Sequence, residues 1–150
     1  MALATSAETC GAAGSAETVR TAMFRFDPVP ESAGKARRSA RTVLSTWGLQ
    51  ALCEDVDLVV SELITNALLH TGLGPGGAPT PVRLELELDG DALTCRVVDS
   101  SPLPPQPEEA DHDAESGRGL ILVEALADAW DWEDLPEGKA VWARFLLSAV

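Results

Sequence analysis

The sequence has little of what a secreted, membrane-spanning or zinc-binding chain requires. Its three cysteines, Cys10, Cys53 and Cys95, lie far apart and form no Cys-x-x-Cys pair, so neither a disulfide framework nor a zinc knuckle is expected. The first nineteen residues contain no Lys or Arg, and no apolar run approaches the roughly 18 residues that a membrane span needs. These absences predict a cytoplasmic protein in a reducing compartment.

Basic residues and histidines are also scarce. Eleven Lys and Arg stand against 24 Asp and Glu, and the formal net charge of −13 disfavours binding to a nucleic-acid backbone. His70 and His112 have no partner at metal-ligand spacing, so no histidine metal site is expected. The phosphate-binding pattern Gly-x-x-x-x-Gly-Lys-Ser/Thr is missing. Residues 72–77 match Gly-x-Gly-x-x-Gly, but they lead into Ala-Pro-Thr-Pro instead of a helix and are interpreted as a linker.

The chain does contain enough apolar residues, 45% of 150, to build the core of one domain. Residues 1–18 offer almost nothing large to bury and are predicted to form a disordered leader, which leaves 19–150 as the domain. A short strand is predicted around residues 24–26. Apolar residues at helical spacing then predict helices over 31–47, stopped by Gly48, and over about 51–70.

The second half of the chain is dominated by strand patterns. Apolar and polar residues alternate over 81–88 and again over 93–97, which predicts a hairpin around Asp89-Gly90. Residues 100–116, with four prolines and five acids, predict a long loop. A short apolar helix just beyond Gly119 and strands at about 129–133 and 139–147 complete the order. The fold class predicted is α+β, a two-layer sandwich with helices on one face of a mainly antiparallel mixed sheet.

Glu62 and Asn66 are the first candidates for chemistry, because a spacing of four projects both from nearly the same side of a helix. An amide oxygen can ligate Mg²⁺, and a carboxylate can accept a proton from an attacking hydroxyl. The same pair also occurs on ordinary helices with both side chains in water. Taken by themselves, these two residues therefore leave both interpretations open.

Two further positions could contact a nucleotide. Asp99 ends a strand and could accept a hydrogen bond from an adenine amino group, or it could simply begin an Asx-type turn before Pro102. The segment Gly117-Arg118-Gly119 precedes an apolar helix. Its two glycines would let backbone N–H groups approach a phosphate, and Arg118 would add positive charge. A flexible hinge is the alternative interpretation of that segment.

Three segments together resemble, in order and spacing, the nucleotide boxes of the gyrase and histidine-kinase ATPase superfamily: Ser-Glu-Leu-Ile-Thr-Asn-Ala at 61–67, Val-Val-Asp at 97–99 and Gly-Arg-Gly-Leu at 117–120. Glu-Ser-Gly-Arg-Gly-Leu-Ile-Leu-Val at 115–123 and Gly-Lys-Ala-Val-Trp at 138–142 are similar to the bacterial anti-sigma-factor serine/threonine kinases within it. The similarity extends over about residues 24–147.

This resemblance implies a Bergerat-type ATP-binding fold and a kinase that uses ATP and Mg²⁺. It implies that Glu62 is the catalytic base, that Asn66 ligates magnesium and that Asp99 reads adenine. It also implies that residues 100–116 form a lid over the nucleotide and that Gly117, Arg118, Gly119 and Leu120 lie near the phosphates. The implied partners are a small antagonist protein, phosphorylated on Ser or Thr, and a sigma factor, and the implied assembly is a homodimer.

The resemblance departs from the family pattern at one place. Family members commonly carry Asp-x-Gly-x-Gly in the second box, whereas this chain has Asp99-Ser-Ser-Pro-Leu and neither glycine. An alternative function is therefore a binding module in which nucleotide shapes a partner surface without phosphotransfer. The detached ATP-binding half of a histidine kinase is disfavoured, because the helix before Glu62 carries no histidine.

Overall fold

The computed structural model describes residues 19–70, 80–101 and 115–147, without side-chain detail for His70 and residues 115–119. The predicted leader over 1–18, the glycine-rich segment and most of the predicted loop lie outside the described residues. Within the described ranges no helix has the length and apolar character needed to cross a bilayer.

Within the described residues, five strands and three α-helices follow one another in the predicted order. The strands are β1 (Val19–Phe26), β2 (Val82–Asp89), β3 (Ala92–Asp99), β4 (Ala129–Leu135) and β5 (Gly138–Leu146), and the helices are α1 (Glu31–Thr46), α2 (Cys53–His70) and α3 (Glu115–Leu126). The strands form one sheet in the order β1-β2-β3-β5-β4, and each neighbouring pair is antiparallel. The predicted α+β class is confirmed.

One face of the sheet is covered by the helices, and the core lies between the two layers. Along β3 and β5 every second residue is buried in this core, and α2 supplies the facing stripe. The core residues contributed by these three elements are Leu93, Cys95, Val97, Val141, Ala143, Phe145, Val56, Val59, Val60, Leu63, Ile64 and Ala67. Helix α2 contacts β2, β3 and β5 as well as both other helices, so it is the central element of the helical layer.

Several boundaries differ from those predicted. Residues 50–52 form a separate 3-10 turn, so α2 begins at Cys53. The hairpin turn is Gly90-Asp91, since Asp89 still pairs with Ala92. Helix α3 begins at Glu115, within the segment that was predicted to be a loop. The glycines inside this helix cost about 1 kcal/mol each, and packing of the helix against α2 opposes that cost.

Candidate functional site

Asp99 is the last residue of β3, and its carboxylate lies on the helix-covered face with only 3% of the residue exposed. The backbone N–H of Ser101 donates a hydrogen bond of 2.7 Å to Asp99 Oδ1. That contact is the Asx-type turn foreseen as the alternative role. The turn, however, does not account for the burial of the second carboxylate oxygen.

The Asp99 carboxylate also forms a buried ion pair with Lys139. Lys139 Nζ lies 3.1 Å from Oδ1 and 2.9 Å from Oδ2, and only 1% of Lys139 is exposed. The pair forms because the antiparallel register of β3 and β5 sets Asp99 directly opposite Lys139. A buried charge without such a partner would be strongly unfavourable.

Sequence reasoning assigned no role to Lys139, although the pattern contained a signal. Lys139 has the same strand parity as Val141, Ala143 and Phe145, which are buried in the core. A lysine at a core-facing position needs an opposite charge nearby. Asp99, at the end of the preceding central strand, was the available acid.

Gly138 makes this close pairing possible. A Cβ atom built on Gly138 would lie 2.6 Å from the Cα of Ser100 and would also overlap the carbonyl oxygen of Asp99. The backbone φ of Gly138 is +153°, which an L side chain rarely adopts. The first residue of β5 must therefore be glycine for the chain to pass so close to the end of β3.

Glu62 and Asn66 lie on α2, at adjacent turns of the helix. Asn66 is buried, with 7% exposure, whereas Glu62 is partly exposed and has an interaction partner of its own. Helix α2 packs against both β3, which ends in Asp99, and α3, whose first turns hold residues 115–120. The structure thus assigns the three predicted boxes to elements that contact one another through α2.

The third box lies inside a helix instead of before it, which corrects the prediction. Residues 117–119 occupy the third to fifth positions of α3. An α-helix leaves the N–H groups of its first three residues without partners inside the helix, so Gly117 belongs to this set and Arg118 and Gly119 do not. Leu120 is buried.

A cleft of about 250 Å³ opens near the same end of the sheet. Its lining residues are Arg25, Thr80, Pro81, Arg83, Val98, Asp99, Ser100 and Glu137. Arg25, Arg83 and Val98 alternate with the core-facing residues of their strands, so they belong to the face of the sheet that the helices leave open. The cleft therefore opens mainly on the face away from α2, although Asp99 also borders it.

The helix-covered face is dry along the strand that leads to Asp99. Cys95, four residues earlier on the same face of β3, is fully buried, and burial raises the pKa of its thiol from 9.0 to about 12. Charged groups on this face are therefore costly unless they are paired. The Asp99 carboxylate meets that condition through Lys139.

A comparison of the sequence with protein-family profiles shows which family this domain belongs to. The profile of the histidine kinase-like ATPase domain matches residues 26–145, which include all three helices, the Asp99–Lys139 pair and the strands β2 to β5 except Leu146. The chain belongs to the histidine kinase-like ATPase domain family. No curated protein matches the sequence significantly.

Membership of the histidine kinase-like ATPase family implies that the chain binds ATP. The donor set at the site fits such a ligand. Asp99 provides a buried acceptor for an amino group, and Asn66 provides an amide oxygen of the kind that Mg²⁺ accepts as a ligand. Asn66 is thus the residue that would hold Mg²⁺, an ion that offsets the negative charge of nucleotide phosphates.

Proposed function

We propose that this chain is an ATP-dependent protein serine/threonine kinase of the anti-sigma type. It transfers the γ-phosphoryl group of ATP to a hydroxyl of a small antagonist protein and sequesters a sigma factor. The observation that carries the proposal is the burial of Asp99 at the end of β3, on the face covered by the helix that bears Glu62 and Asn66, within a matched ATPase domain. The local similarity of residues 115–123 and 138–142 to anti-sigma kinases supports the choice of substrate.

In this proposal the roles follow from the surroundings of each side chain. Asp99 is dry and fixed, as a reader of the nucleobase should be. Glu62 is partly exposed, so a hydroxyl from another protein can reach it and give up a proton as the bond to phosphorus forms. Asn66 lies one turn further along the same helix and holds the metal that accompanies the phosphates. Catalysis rests mostly on positioning.

The first experiment separates binding from catalysis by comparing two variants of α2. Glu62→Ala is expected to keep ATP binding and to lose about 10²–10⁴-fold in the rate of phosphotransfer. Asn66→Ala is expected to weaken magnesium-dependent binding itself. Rates are measured with radiolabelled ATP and the cognate antagonist, and affinities by titration with and without Mg²⁺. An active Glu62→Ala protein would refute the role of Glu62 as catalytic base.

A non-catalytic binding module is the second candidate, and two observations favour it. The second box lacks both family glycines, and Ser101, where one of them would stand, is buried and bonded to Asp99. A wild-type protein that binds ATP and its sigma factor but phosphorylates no antagonist would support this candidate. Ser101→Gly then tests the cause, because recovered phosphotransfer would assign the defect to this loop.

A homodimer and the partners named above are part of the same proposal. Co-purification of the chain with small proteins, with and without ATP, tests for the antagonist and the sigma factor. Size-exclusion chromatography with light scattering tests the dimer. A nucleotide-independent monomer that captures neither class of partner would argue against the anti-sigma role while leaving ATP binding intact.

A further inference from the structure

Lys139 belongs to a residue type that is rare in this chain. The sequence has two lysines, Lys35 and Lys139, and its other basic residues are arginines. Lys139 is buried against Asp99, the residue proposed to read adenine. A nucleobase that reaches Asp99 must therefore approach the ammonium group as well.

The pair retains hydrogen-bonding capacity after its internal contacts are made. An ammonium group has three N–H donors, and the two oxygens of Asp99 take at most two of them. Asp99 Oδ1 accepts from Ser101 and Lys139, while Oδ2 accepts from Lys139 at 2.9 Å. Because a carboxylate oxygen can accept two hydrogen bonds, Oδ2 can take one more. By this count the pair has capacity for one further contact as an acceptor and one as a donor.

Adenine carries the complementary pair on adjacent atoms, since its exocyclic N6 amino group donates and its ring nitrogen N1 accepts. We propose that Lys139 is a second base-reading residue, which donates to N1 while Asp99 accepts from the N6 amino group. This inference rests on the proposed ATP binding and extends it by naming the residue that recognises N1. Guanine presents acceptor and donor in the opposite order along the same edge.

Burial gives such a contact its discriminating power. A hydrogen bond from a charged donor in a dry site is strong, and a ligand that lacks the acceptor leaves the donor unsatisfied. Asp99 alone would need a counter-charge at this depth, and Lys139 supplies it. The same ammonium group thus neutralises the carboxylate and reads the neighbouring atom of the base.

The test removes one ring nitrogen at a time. The affinities of the wild-type protein are measured for ATP, for 1-deaza-ATP, which lacks N1, and for 7-deaza-ATP, which lacks a nitrogen on the far side of the ring. We expect 1-deaza-ATP to bind about tenfold to a hundredfold more weakly than ATP, and 7-deaza-ATP to bind about as well as ATP. Equal affinities for ATP and 1-deaza-ATP, or a preference for GTP, would overturn the inference.

Two variants assign the effect to Lys139. In Lys139→Met the ratio of the ATP and 1-deaza-ATP affinities should fall to about one, because the donor is gone. If Lys139→Met does not fold, Lys139→Gln keeps an uncharged donor, and its ratio should lie between one and the wild-type value. A ratio unchanged from wild type in the folded variant would show that another group contacts N1.

The outcomes also separate this inference from the proposed function. A wild-type protein that binds no ATP refutes both. A protein that binds ATP, with a loss of affinity in Asp99→Asn but with equal affinities for ATP and 1-deaza-ATP, refutes the role of Lys139 alone. Affinity is the readout throughout, so the result does not depend on whether the chain transfers phosphate.

Discussion

The two halves of the candidate site are built on different principles. The strand half consists of Asp99 and Lys139, which are buried, ion-paired and held by the register of two central strands. The helix half consists of Glu62 and Asn66 on α2, at the border between the buried stripe and the surface. This difference in burial suits the proposed roles, because a dry, rigid pair can read a base, whereas a carboxylate that accepts a proton from an incoming protein must be within that protein's reach. The two halves should therefore respond differently to substitution.

The largest effect is expected when the buried pair is broken. Lys139→Met leaves the Asp99 charge buried and unpaired, and should lower the free energy of unfolding by about 3–5 kcal/mol. Arg41→Met is the matched control, because the Arg41–Asp57 pair is comparably short, at 2.7 Å, but the Arg41 side chain is 58% exposed. The control should lose at most about 1 kcal/mol. Urea unfolding measures both, and equal losses would contradict the difference in burial.

A somewhat smaller loss is expected at the glycine that brings the two strand ends together. Gly138→Ala must displace the backbone at Asp99 and Ser100 and adopt an unfavourable φ, which should cost about 2–4 kcal/mol in the free energy of unfolding. Gly48→Ala has a positive φ of 75° but open space around it, so it should cost about 1 kcal/mol. Similar values for the two variants would mean that the close approach at Gly138 relaxes without cost.

The ligand effects of the two halves can be compared directly. At a hundredfold excess over Kd, nucleotide should stabilise the wild type by about 2.7 kcal/mol, seen as a rise in Tm. Asp99→Asn should remove most of this rise with or without magnesium, because the acceptor of the base is changed. Asn66→Ala should remove only the magnesium-dependent part. If the rise in Tm is as large in Asp99→Asn as in the wild type, Asp99 only forms the turn and does not contact the base.

The smallest effect concerns the dry face next to Asp99. Burial raises the pKa of Cys95 to about 12, so the folded state keeps this proton at a pH where the unfolded chain has released it. The resulting stability is fully present below pH 9 and is lost as the pH rises, by about 1.4 kcal/mol per unit. The chain has no tyrosine to confuse the measurement. Urea unfolding should show a loss of about 1 kcal/mol between pH 9 and 10 in wild type, where the unfolded thiol is only partly ionised, and no such loss in Cys95→Ala.

Much of this protein was determined by local sequence pattern. Residue alternation and helical spacing were enough to predict the order of the elements, the α+β class and the stop of α1, where Gly48 adopts a positive φ and two reverse hydrogen bonds close the helix. They also placed Asp99 at a strand end and put Glu62 and Asn66 on one helix. These features depend on neighbours a few residues apart, which a sequence displays directly.

The tertiary structure alone decided which residues meet. Asp99 and Lys139 are 40 residues apart, and their pairing exists because β3 and β5 are neighbours in a particular register. The start of α3 at Glu115 likewise reflects packing against α2, which outweighs the poor helix propensity of its glycines. The spacing of residues along the chain does not show such contacts, because they are stabilised by burial between segments that are far apart in the sequence. The acid was singled out from the sequence, whereas its pairing with Lys139 was decided by the register of β3 and β5.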